Sequence, residues 1–177
     1  MMRRHSGFTM IEVLVAMLVL GSGAMAMIML QLQALRSGRD SALQTRAMMM
    51  AVELAELRAE YHAGGVRDGI DPYLLSFNGG ALAPIGNSCS AAACSPLEFA
   101  AAAVAGWTAR WSSNFPGARA AVCRDGRLPS TIASDWSCPQ DSTAPVYIKL
   151  GWRDARRFGG DNGTAIERPQ LTMFIGY

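Results

Sequence analysis

Hydrophobic positions follow one pattern up to about residue 30 and another beyond it. From Val13 to Leu30 the chain reads "VLVAMLVLGSGAMAMIML" and carries no charge. At 1.5 Å per residue these eighteen residues span about 27 Å as a helix, close to a ~30 Å hydrocarbon core. Including Phe8 to Glu12 lengthens the run, so it can cross a membrane. A secretory signal peptide is the competing explanation. No small-residue cleavage site of the A-x-A kind closes the run, no polar linker follows it, and the helical pattern simply continues. Inside the run, Gly21-Ser22-Gly23 marks close helix contact or a place where the helix can loosen.

From residue 31 the pattern becomes amphipathic. Leu43, Ala47, Met50, Leu54, Leu57 and Tyr61 recur at alternating steps of four and three, which predicts a helix stripe. Arg46, Glu53, Glu56, Arg58 and Glu60 are expected on the other faces. Gly64-Gly65 predicts the end of the helix, and "RSGRDS" at 36–41 an interruption just outside the bilayer.

Residues 66–94 alternate turn residues with short apolar pieces and read as irregular. Asp68 and Asp71 lack the rest of an EF-hand calcium loop and are expected in a solvated turn. "SPLEFAAAAVAGWTARW" opens with a cap at Ser95, Pro96 in the first turn and Glu98 placed for a capping box. It predicts a helix to about Ser112 with Phe99, Val104, Trp107 and Trp111 on its apolar side. Three strands are predicted at 118–124, 145–154 and 169–177. In the second, Val146, Ile148, Leu150 and Trp152 alternate with Tyr147, Lys149 and Arg153. "GGDNG" at 159–163 predicts the turn of an antiparallel hairpin between the last two strands.

Charge and composition narrow the function classes. The formal charge is +2, yet without residues 1–7 the basic and acidic residues balance, and no basic stripe suited to phosphate neutralisation exists. Direct nucleic-acid binding is therefore not expected. Fifteen of the sixteen basic residues are Arg, which fits genome-wide base composition alongside the many Ala and Gly. Ten of the eleven methionines lie in the first fifty residues and read as flexible apolar filler. The histidines are His5 and His62, the latter a partner for a helix C-terminus. No Ser/His/Asp set, P-loop or G-x-G-x-x-G is found, so neither catalysis nor a cofactor is expected. Asn162-Gly163-Thr164 matches a glycosylation sequon by chance and reads as a turn.

Cys89, Cys94, Cys123 and Cys138 point to two disulfides and an oxidising compartment. Four cysteines allow three pairings, of which the local one joins Cys89 to Cys94 and Cys123 to Cys138. A zinc site fits less well, because C-x4-C and C-x14-C lack close pairs and flanking histidines. The cysteines also settle orientation. Arg3 and Arg4 favour a cytoplasmic N-terminus, Arg36 and Arg39 nearly cancel them, and oxidation requires the region after residue 30 to be exported.

Glu12 is the anomaly, a carboxylate standing where an apolar run has already begun. Such a charge is unfavourable in hydrocarbon by about 2.5–3.5 kcal/mol. Helix-start electrostatics offset part of this, but do not explain a charge set into lipid. Its surroundings, "GFTMIEVLVAM" from Gly7, resemble the type IV prepilin signature. That resemblance implies a cleaved leader (1–7), a transmembrane helix (8–30), its amphipathic continuation (31–63) and a periplasmic α+β domain (64–177). It implies cutting by prepilin peptidase between Gly7 and Phe8 and N-methylation of Phe8. It further implies that Glu12 pairs with the α-amino group of a neighbouring subunit's Phe8, so that two charges costly alone relieve one another and set the axial register. The implied architecture is a long N-terminal helix packed against a small antiparallel sheet.

The implied partners are other major and minor pilins, the peptidase, an inner-membrane assembly platform and lipid. The implied location is the bacterial inner membrane and then the pilus. With "FPGARAAVCRD" and "YIKLGWRD", the chain resembles PilV-type minor pilins, which act in priming or tip complexes for pili used in adhesion, twitching motility and DNA uptake. A type II secretion pseudopilin shares the N-terminal signature. A membrane enzyme on a plain anchor helix would leave Glu12 unexplained.

Overall fold

The computed structural model describes residues 7, 9–65, 71–79, 89, 93–139, 142–153 and 166–177. Two compact units divide the chain, Met1–Leu43 and Gln44–Tyr177. Helix α1 runs without a break over Met10–Ala63. The expected interruption at 36–41 does not occur, and Gly21 and Gly23 are also helical. A glycine weakens a helix by only about 1 kcal/mol, too little to stop one that strong helix formers continue on both sides. Termination comes at Gly64-Gly65, where Gly65 takes φ +75° and the Gly64 N–H donates to the Glu60 carbonyl at 3.1 Å.

In the first unit the apolar side chains of α1 are exposed, Leu18 by 74% and Leu35 by 71%, and the helix is long and apolar enough to cross a membrane. In the second unit its stripe is Ala47, Met50, Ala51, Leu54, Arg58 and Tyr61, all buried. Leu43 and Leu57 are only half-buried. Arg58 corrects the sequence expectation. It stands four residues after Leu54 and three before Tyr61, on the stripe itself.

Helix α2 spans Pro96–Asn114, two residues past the expected end, behind a complete capping box. Ser95 Oγ accepts from the Glu98 N–H at 3.3 Å, and the Ser95 N–H donates to Glu98 Oε2 at 2.8 Å. The Ser95 N–H first, and then the Ser95 hydroxyl at 2.8 Å, donate to the Glu98 carboxyl and hold it below its usual range. The buried side is Ala100, Val104, Trp107, Thr108 and Trp111, whereas Phe99 is exposed. Trp107 Nε1 donates to the Met50 carbonyl at 2.8 Å, joining α2 to the second half of α1.

Four strands form one antiparallel sheet in the order β1-β2-β3-β4: Leu75–Asn78, Arg119–Arg124, Val146–Gly151 and Leu171–Gly176. Strand β1 lies in the stretch that reads as irregular. It is four residues long, too short to show a period, and pairs with β2 through Phe77↔Ala120. The three expected strands are present but shorter. The last two pair antiparallel, with Leu150 opposite Leu171, while the expected turn at 159–163 and the sequon at 162–164 lie outside the described residues.

Period two places Val146, Ile148 and Leu150 on one face, which Trp152 extends to meet Trp111 of α2 edge-on, with ring centroids 6.1 Å apart. Phe77, Ala120 and Val122 share that face by register. The opposite face of β2 and β3 is covered by the segment 125–138, which includes the one-turn helix α3 at Pro129–Ile132. Lys149 is therefore fully buried, and β3 is apolar-facing on one side and charge-bearing on the other. The architecture is α+β and pilin-like: a long N-terminal apolar helix and a small antiparallel four-stranded sheet.

Candidate functional site

The N-terminal residues singled out by sequence lie at the start of α1. Gly7 is exposed, and Phe8 lies outside the described residues. The Thr9 carbonyl accepts from the Glu12 N–H at 3.1 Å and from the Val13 N–H at 3.4 Å, which opens the helix. Glu12 is thus in the first turn, where a carboxylate complements the unpaired N–H groups and the helix dipole. Its side chain is exposed and makes no ion pair among the described residues. The arrangement presents an exposed carboxylate at the head of an apolar helix whose side chains are exposed.

In the second unit Cys89 is bonded to Cys94 and Cys123 to Cys138. No group of three or more His, Cys, Asp or Glu placed to hold a metal ion exists among the described residues. Two ion clusters escaped the sequence reading. In the first, Arg58 Nε donates to Asp71 Oδ2 at 2.7 Å with both side chains nearly sealed from solvent. The Arg58 guanidinium also donates to the Ile175 carbonyl at 3.4 Å and the Tyr177 carbonyl at 3.2 Å, tying α1 to the end of β4. His62 Nε2 lies 3.1 Å from the same Asp71 oxygen, so Asp71 sits in a charge cluster rather than a solvated turn. His62 thus partners a carboxylate, beyond its placement at the helix end. Asp68 lies outside the described residues. Next to this cluster, burial pushes the Tyr73 hydroxyl up to about 12, with the charges of Glu60 and Asp71 adding to the shift.

The second cluster lies under the segment 125–138. Lys149 Nζ donates to Asp125 Oδ2 at 3.0 Å, the Ser137 carbonyl at 2.7 Å and the Asp135 carbonyl at 3.3 Å. Arg127 donates to both Asp125 oxygens at 2.9 and 2.7 Å, and to Asp135 Oδ2 at 2.7 Å. The Arg127 hydrogen bonds, then those of Lys149, hold the Asp125 carboxyl down at about 2 despite its burial. Asp135 is also held well below the usual carboxylate range, first by Arg127. The alternation sets Lys149 opposite the Val146, Ile148 and Leu150 face without showing what covers it; its acceptors lie 12 to 24 residues away in sequence, where no local pattern reveals them.

Two cations facing two carboxylates, with every contact internal to the cluster, make a structural ion network and not a poised acid–base pair. The chemistry with an outward address is therefore at the head of α1. No curated protein and no solved structure matches the chain. Residues 2–28 match the family described as the prokaryotic N-terminal methylation motif. The matched segment holds Gly7, Phe8 and Glu12 and continues into the exposed apolar helix, so the chain carries the signal of a type IV pilin or pseudopilin precursor, consistent with membrane anchoring before assembly.

Proposed function

We propose that the chain is a minor pilin of a type IV pilus, of the PilV-like kind. Prepilin peptidase cuts between Gly7 and Phe8, and the new α-amino group of Phe8 is methylated. The subunit waits in the inner membrane with its N-terminus cytoplasmic and then enters a priming or tip complex with other pilins at the assembly platform. Its role is structural, not enzymatic. One observation carries this reading: an exposed carboxylate, Glu12, in the first turn of an apolar membrane-length helix, inside the matched segment. Glu12 receives the Phe8 ammonium of a neighbouring subunit, because either charge alone in hydrocarbon is unfavourable and pairing offsets much of that cost.

Intact mass and N-terminal sequencing of membrane-extracted protein test the cut; a mature chain starting anywhere but Phe8 overturns it. Glu12→Ala should leave the protein inserted but poorly recovered in sheared pili, and normal recovery removes the pairing role. A bulky residue in place of Gly7 should leave an unshortened band. The type II secretion pseudopilin shares the matched segment. Two disulfides in an exported domain of over a hundred residues favour the pilus subunit. Loss of surface pili with intact secretion after gene deletion supports the pilus; the converse supports the pseudopilin.

A further inference from the structure

Lys149 is a fully buried ammonium, and its acceptors come from the segment between Cys123 and Cys138. Asp125 supplies a carboxylate, and Asp135 and Ser137 supply backbone carbonyls. Cys123 lies opposite Tyr147, two positions from Lys149, so Cys123 and Lys149 project from the same face of the sheet. The bond from Cys123 to Cys138 therefore pins the far end of the segment beside Ser137, over the ammonium. Asp125, next to the end of β2 with its N–H on the Pro145 carbonyl at 2.9 Å, is held in place by the sheet itself. The two carbonyls belong to the segment, in which Arg127 donates to Asp135 Oδ2 at 2.7 Å and the Ser137 carbonyl at 2.9 Å, and Trp136 Nε1 donates to the Ile166 carbonyl at 2.8 Å; the disulfide adds the covalent anchor at its far end. A buried ammonium stripped of acceptors is strongly destabilising, more so than the loss of one surface contact.

We propose that the Cys123–Cys138 disulfide is a folding latch that clamps the far end of the 125–138 segment, the lid neutralising buried Lys149, so that oxidation of the two thiols secures this domain's fold. A thiol–disulfide oxidant, such as oxidised glutathione, supplies the chemistry. One cysteine thiolate attacks the oxidant and expels a thiol, and the second resolves the mixed disulfide and expels another. Two cysteine thiols are oxidised, one external disulfide is reduced to two thiols, and the protons leave with them. In a reducing cytoplasm the far end of the lid is not clamped and Lys149 is less securely buried; after export the clamp closes.

The test uses the full-length chain in detergent micelles, with urea unfolding followed by tryptophan fluorescence. Cys123→Ala/Cys138→Ala keeps the Cys89–Cys94 bond, and Lys149→Met keeps the stem but removes the charge. The latch requires that losing the Cys123–Cys138 bond lower the urea midpoint, and that at least half of that loss disappear in the Lys149→Met background. Hydrogen exchange in 125–138 should rise at least tenfold without the bond. If the chain lacking the bond does not fold, adding Lys149→Met should restore folding. An equal midpoint loss in both backgrounds, unchanged exchange in the segment, or no rescue by Lys149→Met overturns the latch.

Discussion

The two units of this chain treat charge in opposite ways. In Met1–Leu43 the described helix presents apolar side chains to its surroundings, and Glu12 has no ion partner among the described residues. In Gln44–Tyr177 the buried charges Arg58, Asp125 and Lys149 all have partners within hydrogen-bond distance. The difference shows where each unit's folding is completed. The second unit closes its electrostatics internally. In the first, Glu12 has no ion partner among the described residues and the apolar side chains are exposed; on the function proposed above, lipid and then a second subunit complete them.

The contrast can be broken most forcefully at Asp125. Asp125→Ala removes the carboxylate from Lys149 and leaves a sealed ammonium with two carbonyls only. Breaking one partner of a buried pair lowers stability by about 3–5 kcal/mol. Urea unfolding of the full chain should show that loss, whereas Glu12→Ala should leave the same transition within about 0.5 kcal/mol. Equal effects would mean the two carboxylates are not in different situations.

A pair of leucines sharpens the comparison next. Leu54 is fully buried and Leu18 is 74% exposed on the same helix. Leu54→Ala should lower the stability of the second unit by about 2–5 kcal/mol through lost burial and a cavity. Leu18→Ala should lower it by less than about 0.5 kcal/mol and act instead on membrane retention or filament recovery. A Leu54→Ala protein with an unshifted urea midpoint contradicts the packing.

Much of this arrangement could be read from sequence, and the failures share a cause. The apolar run, Ser95 with Glu98, and the alternation through Val146, Ile148 and Leu150 are local signals, and the structure contains the helix, the capping box and the strand they predict. Arg58 was expected off the buried stripe and Asp71 in a solvated turn, and the alternation around Lys149 carries no sign of its burial. Their partners come from other elements, β4 for Arg58 and the 125–138 segment for Lys149, and nothing within a few residues marks them. Strand β1 was missed because a four-residue strand acquires its identity from its neighbour β2 rather than from its own period. At the candidate site, Gly7, Phe8 and Glu12 stand in one contiguous stretch, and residues 2–28 match the N-terminal methylation motif as a unit, so the motif is a local signal; the roles of the three residues belong to the proposal.

Acid should act on the second unit's network. The Asp125 carboxyl titrates at about 2 when folded, against an ordinary value of 3.8, and Asp135 shifts in the same direction. A carboxyl whose folded value is depressed stabilises the fold above its unfolded value. That contribution is lost as pH falls from about 4 toward 2. The urea midpoint at pH 2.5 should lie below that at pH 5, and Asp125→Asn should flatten the dependence. A midpoint constant across that range would show that these carboxyls are not held ionised by their partners.

The smallest expected effect compares two helix starts with the same spacing. Thr9 precedes Glu12 by three residues, as Ser95 precedes Glu98. The second pair closes a capping box on α2, whose buried side packs through Trp107 and Trp111. Ser95→Ala removes the acceptor for the Glu98 N–H and should destabilise the second unit by about 1 kcal/mol, and Ser95→Gly by a few tenths. Thr9→Ala lies at the head of the other unit and should leave the urea transition of Gln44–Tyr177 unchanged, with any effect confined to processing or assembly. The midpoints of the three variants measured side by side decide it. A Thr9→Ala shift as large as that of Ser95→Ala would mean the head of α1 contributes to the stability of the second unit, and the division of labour between the units would fail.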